Sequence, residues 1–223
     1  MMPTCDEITK AVGKYNNENS TDDLALRSAF GTIQGVPPSS GRFLVEVCLI
    51  ADWGSIPLMN FPFHDRVAMA EEIKTSWPVL RPMQSWHAEN WDAETKMLTD
   101  AVGLLLSDTH LLPTPGVKKC HLSFLSKYLH GCVNDAFPIW DQNARTALNN
   151  DNDERSWLSY RNWVVCVRQE AATHKACCLE QIRLPGECLL RTFDKALYIL
   201  GGEVAERKQD NKRESRLGKV HGR

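Results

Sequence analysis

The run Phe137-Pro138-Ile139-Trp140-Asp141 follows a helical segment and a short loop, and it constrains this chain more than any other stretch. Pro138 fixes one backbone dihedral and sets the approach to the next helix. Ile139 and Trp140 demand burial. Asp141 then lands at a helix start, where a carboxylate can accept hydrogen bonds from free backbone N–H groups. Two readings of that acid stand side by side. It is an ordinary N-cap, or it is a carboxylate held rigidly beside a pocket, its charge fixed by the helix N-terminus.

With 223 residues, 43% of them hydrophobic, the chain can form one large domain or two lobes around a cleft. Seven Trp supply large aromatics for a core or a pocket wall. The formal net charge of −2 carries no overall signature of nucleic-acid binding, but the charge is uneven. Residues 203–223 hold seven Lys/Arg against four acids, a balance of +3 that leaves the first 202 residues at −5. Such a basic tail adds phosphate contacts, or is simply a solvated, loose terminus.

The eight cysteines follow no paired framework, and neither a CxxC nor four closely spaced cysteines occur. They read as small buried hydrophobes of a reducing cytoplasm, with no metal site and no cofactor expected. Residues Met1 to Glu7 lack the basic start and apolar run of a signal peptide. The most apolar stretch, 43–51, is broken by Glu46 and is too short to cross a bilayer. A cytoplasmic setting with no membrane association is therefore expected.

The hydrophobic pattern predicts a mainly α architecture in three parts: an irregular N-terminal region over 1–90, a helical region over 91–202 and the basic tail over 203–223. Residues 1–20 read as loose and 22–30 as a short helix. Across 42–53, Val45, Val47 and Leu49 alternate like a strand, although the length also suits a buried helix, so minor β structure near 30–60 is allowed. Helices are predicted over 66–75, 92–107, 118–131, 141–149 and 153–172. After Pro185, the stripe Leu189, Leu190, Phe193, Ala196, Leu197 and Leu200 is the cleanest in the chain, and Gly201-Gly202 is expected to end that helix.

The order of turn, helix, loop, Asp and helix resembles the helix–hairpin–helix DNA glycosylase superfamily. Ser126-Lys127-Tyr128-Leu129-His130 followed by Phe137-Pro138-Ile139-Trp140-Asp141 is similar to bacterial proteins described as having an 8-oxoguanine-glycosylase fold, and Leu190 to Leu197 is similar to their final helix. The likeness covers roughly 111–201. It implies a helix–hairpin–helix glycosylase-like fold and an enzyme that cleaves the N-glycosidic bond of a modified or damaged base in DNA. Asp141 would stabilise the oxocarbenium-like sugar and activate water, with the base flipped into a pocket. Some bacterial proteins of this kind occur with antiphage systems, so a phage-specific base modification is as good a substrate as oxidised guanine.

The resemblance also implies roles for other positions. Gly116, Lys118 and Lys119, in a hairpin that lacks the family's second glycine, would contact DNA together with Arg145. Members that also cut the DNA backbone use a Lys somewhat under twenty residues before the Asp. Here that position falls near 120–123, where no Lys occurs, and Lys127 is the closest later candidate. A monofunctional enzyme is therefore expected, with Lys127 as a secondary catalytic candidate. Trp140, His130 and Ser123 would line the base pocket, against the alternatives of core packing for Trp140 and a hydrogen-bonded structural role for His130. Trp86, His87, Glu89, Asn90 and Trp91 form a polar–aromatic cluster suited to wedging bases or to anchoring a loop. The missing glycine and lysine motivate a second reading, a catalytically silent protein that binds DNA or a protein partner.

Overall fold

A reciprocal cap opens the chain. The Thr4 hydroxyl accepts the Glu7 N–H at 3.3 Å while the Thr4 N–H donates to the Glu7 carboxylate at 2.8 Å. From there a single helix runs over Cys5–Gln34, 30 residues, in place of the loose segment and short helix expected from sequence. Ile8, Ala11, Val12 and Tyr15 recur at helical spacing and are all buried, so the polar residues between them are its solvent face. The computed structural model describes residues 2–54, 61–85, 122–133, 137–149, 157–185 and 187–220. Among these every regular element is helical.

Ser39 caps the second helix, Ser40–Trp53, by accepting the Arg42 N–H at 3.2 Å. The strand-like alternation of Val45 and Val47 is overturned here. Phe43, Glu46, Val47 and Ile50 are buried at helical spacing, whereas Val45 is 48% exposed. Glu46 lies on this inner face because Arg42, one turn earlier, pairs with it at 2.9 Å and the Tyr128 hydroxyl donates to it at 2.7 Å. The third helix, Phe63–Leu80, tolerates Pro78 in its last turn and passes into a 3-10 turn over Arg81–Ser85. The helix expected at 92–107 and the hairpin expected around Gly116 lie outside the described residues.

The second half of the chain carries Asp141. Leu122–Tyr128 is helical and continues as a π-helical turn over Leu129–Val133. After the irregular segment 137–141 comes the short helix Gln142–Ala147. Helix Trp157–His174 leads into a second π-helical turn, Lys175–Leu179, and a single turn, Glu180–Ile182. The C-terminal helix spans Leu189–Val220, 32 residues. It does not stop at Gly201-Gly202, and the basic segment, with a loose terminus as one reading, continues it as helix as far as Val220. The Cys5 and Cys177 sulfurs are bonded, which corrects the expectation that no cysteines pair. No helix among the described residues is long and apolar enough to cross a membrane.

The C-terminal helix is the axis of the fold, with the N-terminal helix and the Gln142–Ala147 helix packed along it. Gly201 explains how close that second approach is. A Cβ there would collide with the backbone carbonyl of Asn143, while one at Gly202 would meet only the Asn143 side chain at 3.6 Å. Gly201→Ala should therefore destabilise by at least ~1–3 kcal/mol, because backbone must move. Gly202→Ala should be neutral or stabilise by up to ~1 kcal/mol, as a helix-interior glycine replaced without a clash. Urea denaturation of the two variants checks this, and equal effects would refute the packing.

Candidate functional site

Segment 137–141 has no helix or ladder to satisfy its backbone, and buried side chains do so instead. His130 Nδ1 lies 2.8 Å from the Phe137 carbonyl, so that nitrogen carries the proton and donates. The Tyr160 hydroxyl donates to the Pro138 carbonyl and the Trp163 indole N–H to the Ile139 carbonyl, each at 3.0 Å. The Ser126 hydroxyl accepts the Trp140 N–H at 2.9 Å and donates to the Ser123 carbonyl at 3.0 Å. Asp141 is left at the mouth of the next helix, its Oδ1 accepting the Asn143 N–H at 2.8 Å. It is an N-cap, and it is also beside a pocket.

That pocket has a volume of about 220 Å³, and Lys127, Asp141, Arg191 and Asp194 all line it, with Tyr15 and Trp53 among its aromatic walls. Lys127 projects from the helix before the Asp-bearing segment, with its amine 3.2 Å from the Ser123 hydroxyl. Burial pushes the Lys127 amine below the usual lysine range, against the opposing pull of Asp141 and Asp194. Arg191 reaches across to the Tyr15 hydroxyl at 2.8 Å and to Asp194 Oδ2 at 3.3 Å, with its guanidinium 5.6 Å from the Trp53 ring. Asp194 is fully enclosed, and burial raises its carboxyl to about 7, overriding the Arg191 charge that lowers it. The Ile139 backbone N–H also favours the ionised form and opposes that rise.

Sequence and structure agree unevenly over the remaining candidates. Ser123 sits beside the pocket as the partner of Lys127. Trp140 is buried, 6.1 Å from the Trp163 ring and under the Arg145 guanidinium at 4.8 Å, so it packs the core and does not line the pocket. Arg145 is itself only 6% exposed, which removes it as a surface phosphate contact. His130 is buried and latches the Phe137 carbonyl. Gly116, Lys118, Lys119 and the Trp86–Trp91 cluster lie outside the described residues.

Arg191, Asp194 and Tyr15 were missed as site residues, though a signal for two of them was present. Arg191 and Asp194 interrupt the apolar stripe of the C-terminal helix at a spacing of three, where each should be solvated unless buried in a pair.

Chemically, the pocket holds an acid at a helix mouth, an amine weakened as a cation, and a carboxyl able to exchange its proton near neutral pH. That set supports nucleophilic attack and proton transfer at one bound group. Compared with known proteins, the chain matches no family model, and neither a curated protein nor a solved structure shows significant similarity to it.

The raised Asp194 carboxyl has a measurable consequence for stability. Below about pH 4 it is protonated in both folded and unfolded chains and carries no penalty. Between about pH 4 and 7 the unfolded chain ionises first, so stability falls with rising pH until the folded value of about 7 is passed. The full penalty is on the order of 4 kcal/mol. Asp194→Asn, which keeps an acceptor for Arg191, should resemble wild type at pH 4 and be the more stable protein at pH 8. Urea titrations across that range test this, and parallel curves for the two proteins would contradict it.

Proposed function

We propose that the chain is a DNA glycosylase acting on a modified or damaged base flipped out of DNA. The observation that carries this reading is that Lys127 and Asp141, two residues singled out by the family resemblance, line one pocket together with the buried Asp194. A cavity of about 220 Å³ lies below the ~300–1,000 Å³ of clefts for drug-sized ligands and suits a single base. Tyr15, Trp53 and Tyr198, all of which line it, are the stacking surfaces in this reading, in place of Trp140.

Loss of the base builds positive charge at the sugar C1′, which the Asp141 carboxylate stabilises. Water then adds to C1′ and gives its proton to Asp141. Asp194, protonated up to about pH 7, supplies a proton to the departing base. The products are free base and an abasic site. A phage-specific modified base fits this chemistry as well as an oxidised one.

Lys127 motivates a second route through the same pocket. An amine whose burial disfavours its charge is more nucleophilic than an ordinary lysine, and its attack on C1′ would expel the base and leave an imine that permits strand cleavage.

Incubation with unmodified and heavily modified phage DNA, counting abasic sites with an aldehyde-reactive reagent, tests the assignment. Wild type should produce sites, and Asp141→Asn, which still caps the helix, should slow their formation by about 10²–10⁴-fold. Borohydride trapping of a covalent complex that Lys127→Ala abolishes would select the amine route. DNA binding with no sites on any substrate would replace the enzyme by a silent reader of DNA.

A further inference from the structure

Far along the N-terminal helix from the pocket, four potential metal ligands converge. His174, Cys177 and Cys178 stand at positions i, i+3 and i+4, one face of the turn where helix Trp157–His174 becomes the π-helical turn Lys175–Leu179. Cys5, the first residue of the N-terminal helix, faces them. The three sulfurs and the His174 nitrogen all lie within 4.8 Å of one another. His174 Nδ1 is 3.6 Å from the Cys5 sulfur and 3.8 Å from that of Cys177, and the Cys177 and Cys178 sulfurs are 3.9 Å apart.

Those three separations match edges of a zinc tetrahedron, and the Cys5–Cys177 edge is now the S–S bond, which must open to reach that length. Bonds of about 2.3 Å to sulfur and about 2.0–2.1 Å to nitrogen, at tetrahedral angles, give edges of about 3.8 Å between sulfurs and about 3.6 Å between sulfur and nitrogen. The Cys5–Cys177 bond accounts for two of the four groups. The Cys178 thiol donates to the His174 carbonyl at 3.6 Å, one turn earlier, and that bond holds it beside the His174 ring nitrogen and the other two sulfurs. Cys177 is exposed, which gives an ion a path in, whereas His174 and Cys178 are buried.

We propose that the reduced chain binds one Zn²⁺ through Cys5, His174, Cys177 and Cys178, a structural Cys₃His site that takes the place of the disulfide. Two equivalents of a thiol reductant deliver two electrons and two protons to the Cys5–Cys177 bond, giving two thiols and one disulfide of the reductant. Zn²⁺ then binds Cys5, Cys177 and Cys178 as thiolates, releasing three protons to solvent, and the neutral His174 ring ligates through Nδ1. With four protein ligands the site is closed to substrate, and its role is to tie the N-terminal helix to residues 174–178. Metal binding here is independent of any chemistry in the Asp141 pocket.

The full chain, purified in thiol reductant with zinc and then freed of unbound metal, should retain one zinc per chain. Replacement by Co²⁺ should give the thiolate charge-transfer and intense visible bands of tetrahedral sulfur ligation. Cys178→Ser is the decisive variant, because Cys178 is outside the disulfide. It should weaken zinc by more than the 10–100-fold that outer-shell changes cost, measured against a chromophoric chelator, while Cys5 and Cys177 still pair on oxidation. Reduced wild type that retains no zinc and gives no cobalt spectrum would overturn the site, whether or not the variants fold. So would a Cys178→Ser protein that binds zinc as tightly as wild type.

Discussion

The fold depends on how an irregular segment can be buried. Residues 137–141 are almost wholly enclosed, yet apart from a turn that closes on Asp141 they lack the repeating hydrogen bonds that make burial of backbone affordable. Ser126 and His130 from the helix and π-helical turn before the segment, and Tyr160 and Trp163 from helix Trp157–His174, supply the partners. Each is buried, so each of these bonds is shielded from water and costly to leave unmade. Asp141 is thereby positioned by side chains that never touch the pocket. The same hydrogen bonds tie two helices together, which makes the location of the acid and the packing of the second half one problem.

Among the described residues, charge is buried in pairs at several places. Arg42 and Glu46 share one helix and hold Tyr128. Lys195 meets Glu187 at 2.6 Å and Asn16 at 2.9 Å, joining the C-terminal helix to the N-terminal one. Arg191 and Asp194 do the same with Tyr15. Paired buried ions add little net stability over apolar residues of similar volume, but removing one partner without leaving a hydrogen-bonding group in its place is severe. Their effect is to fix which helix faces lie together, and in the last pair to leave a carboxyl poised inside a cavity.

Much of this was legible in the sequence. The Pro138–Asp141 run announced a rigid approach to a helix start, and the apolar stripe of the final helix was plain. The length of the N-terminal helix was hidden because its buried positions are few and its polar face long. The alternation at Val45 and Val47 left strand and buried helix both open, because Glu46, polar in sequence, is inward-facing only once Arg42 and Tyr128 meet it. Gly201 read as a stop signal and is instead a contact point, a distinction that depends on Asn143 lying against it. The site residues of the final helix were missed because a charge within an apolar stripe looks like an interruption until its partner, Tyr15, is brought from 176 positions away. Cys5 and Cys177, 172 positions apart, could be joined only by the tertiary fold.

The pocket draws its walls from both ends of the chain, with Tyr15 and Asn19 from the first helix and Arg191, Asp194 and Tyr198 from the last. Neither end encloses it alone. If the two ends part, water enters, and the groups whose acidity depends on its exclusion revert to an ordinary ammonium at Lys127 and an ordinary carboxylate at Asp194. The first and last helices meet over the pocket like the two halves of a clasp, and the acid–base character of the interior depends on their staying together.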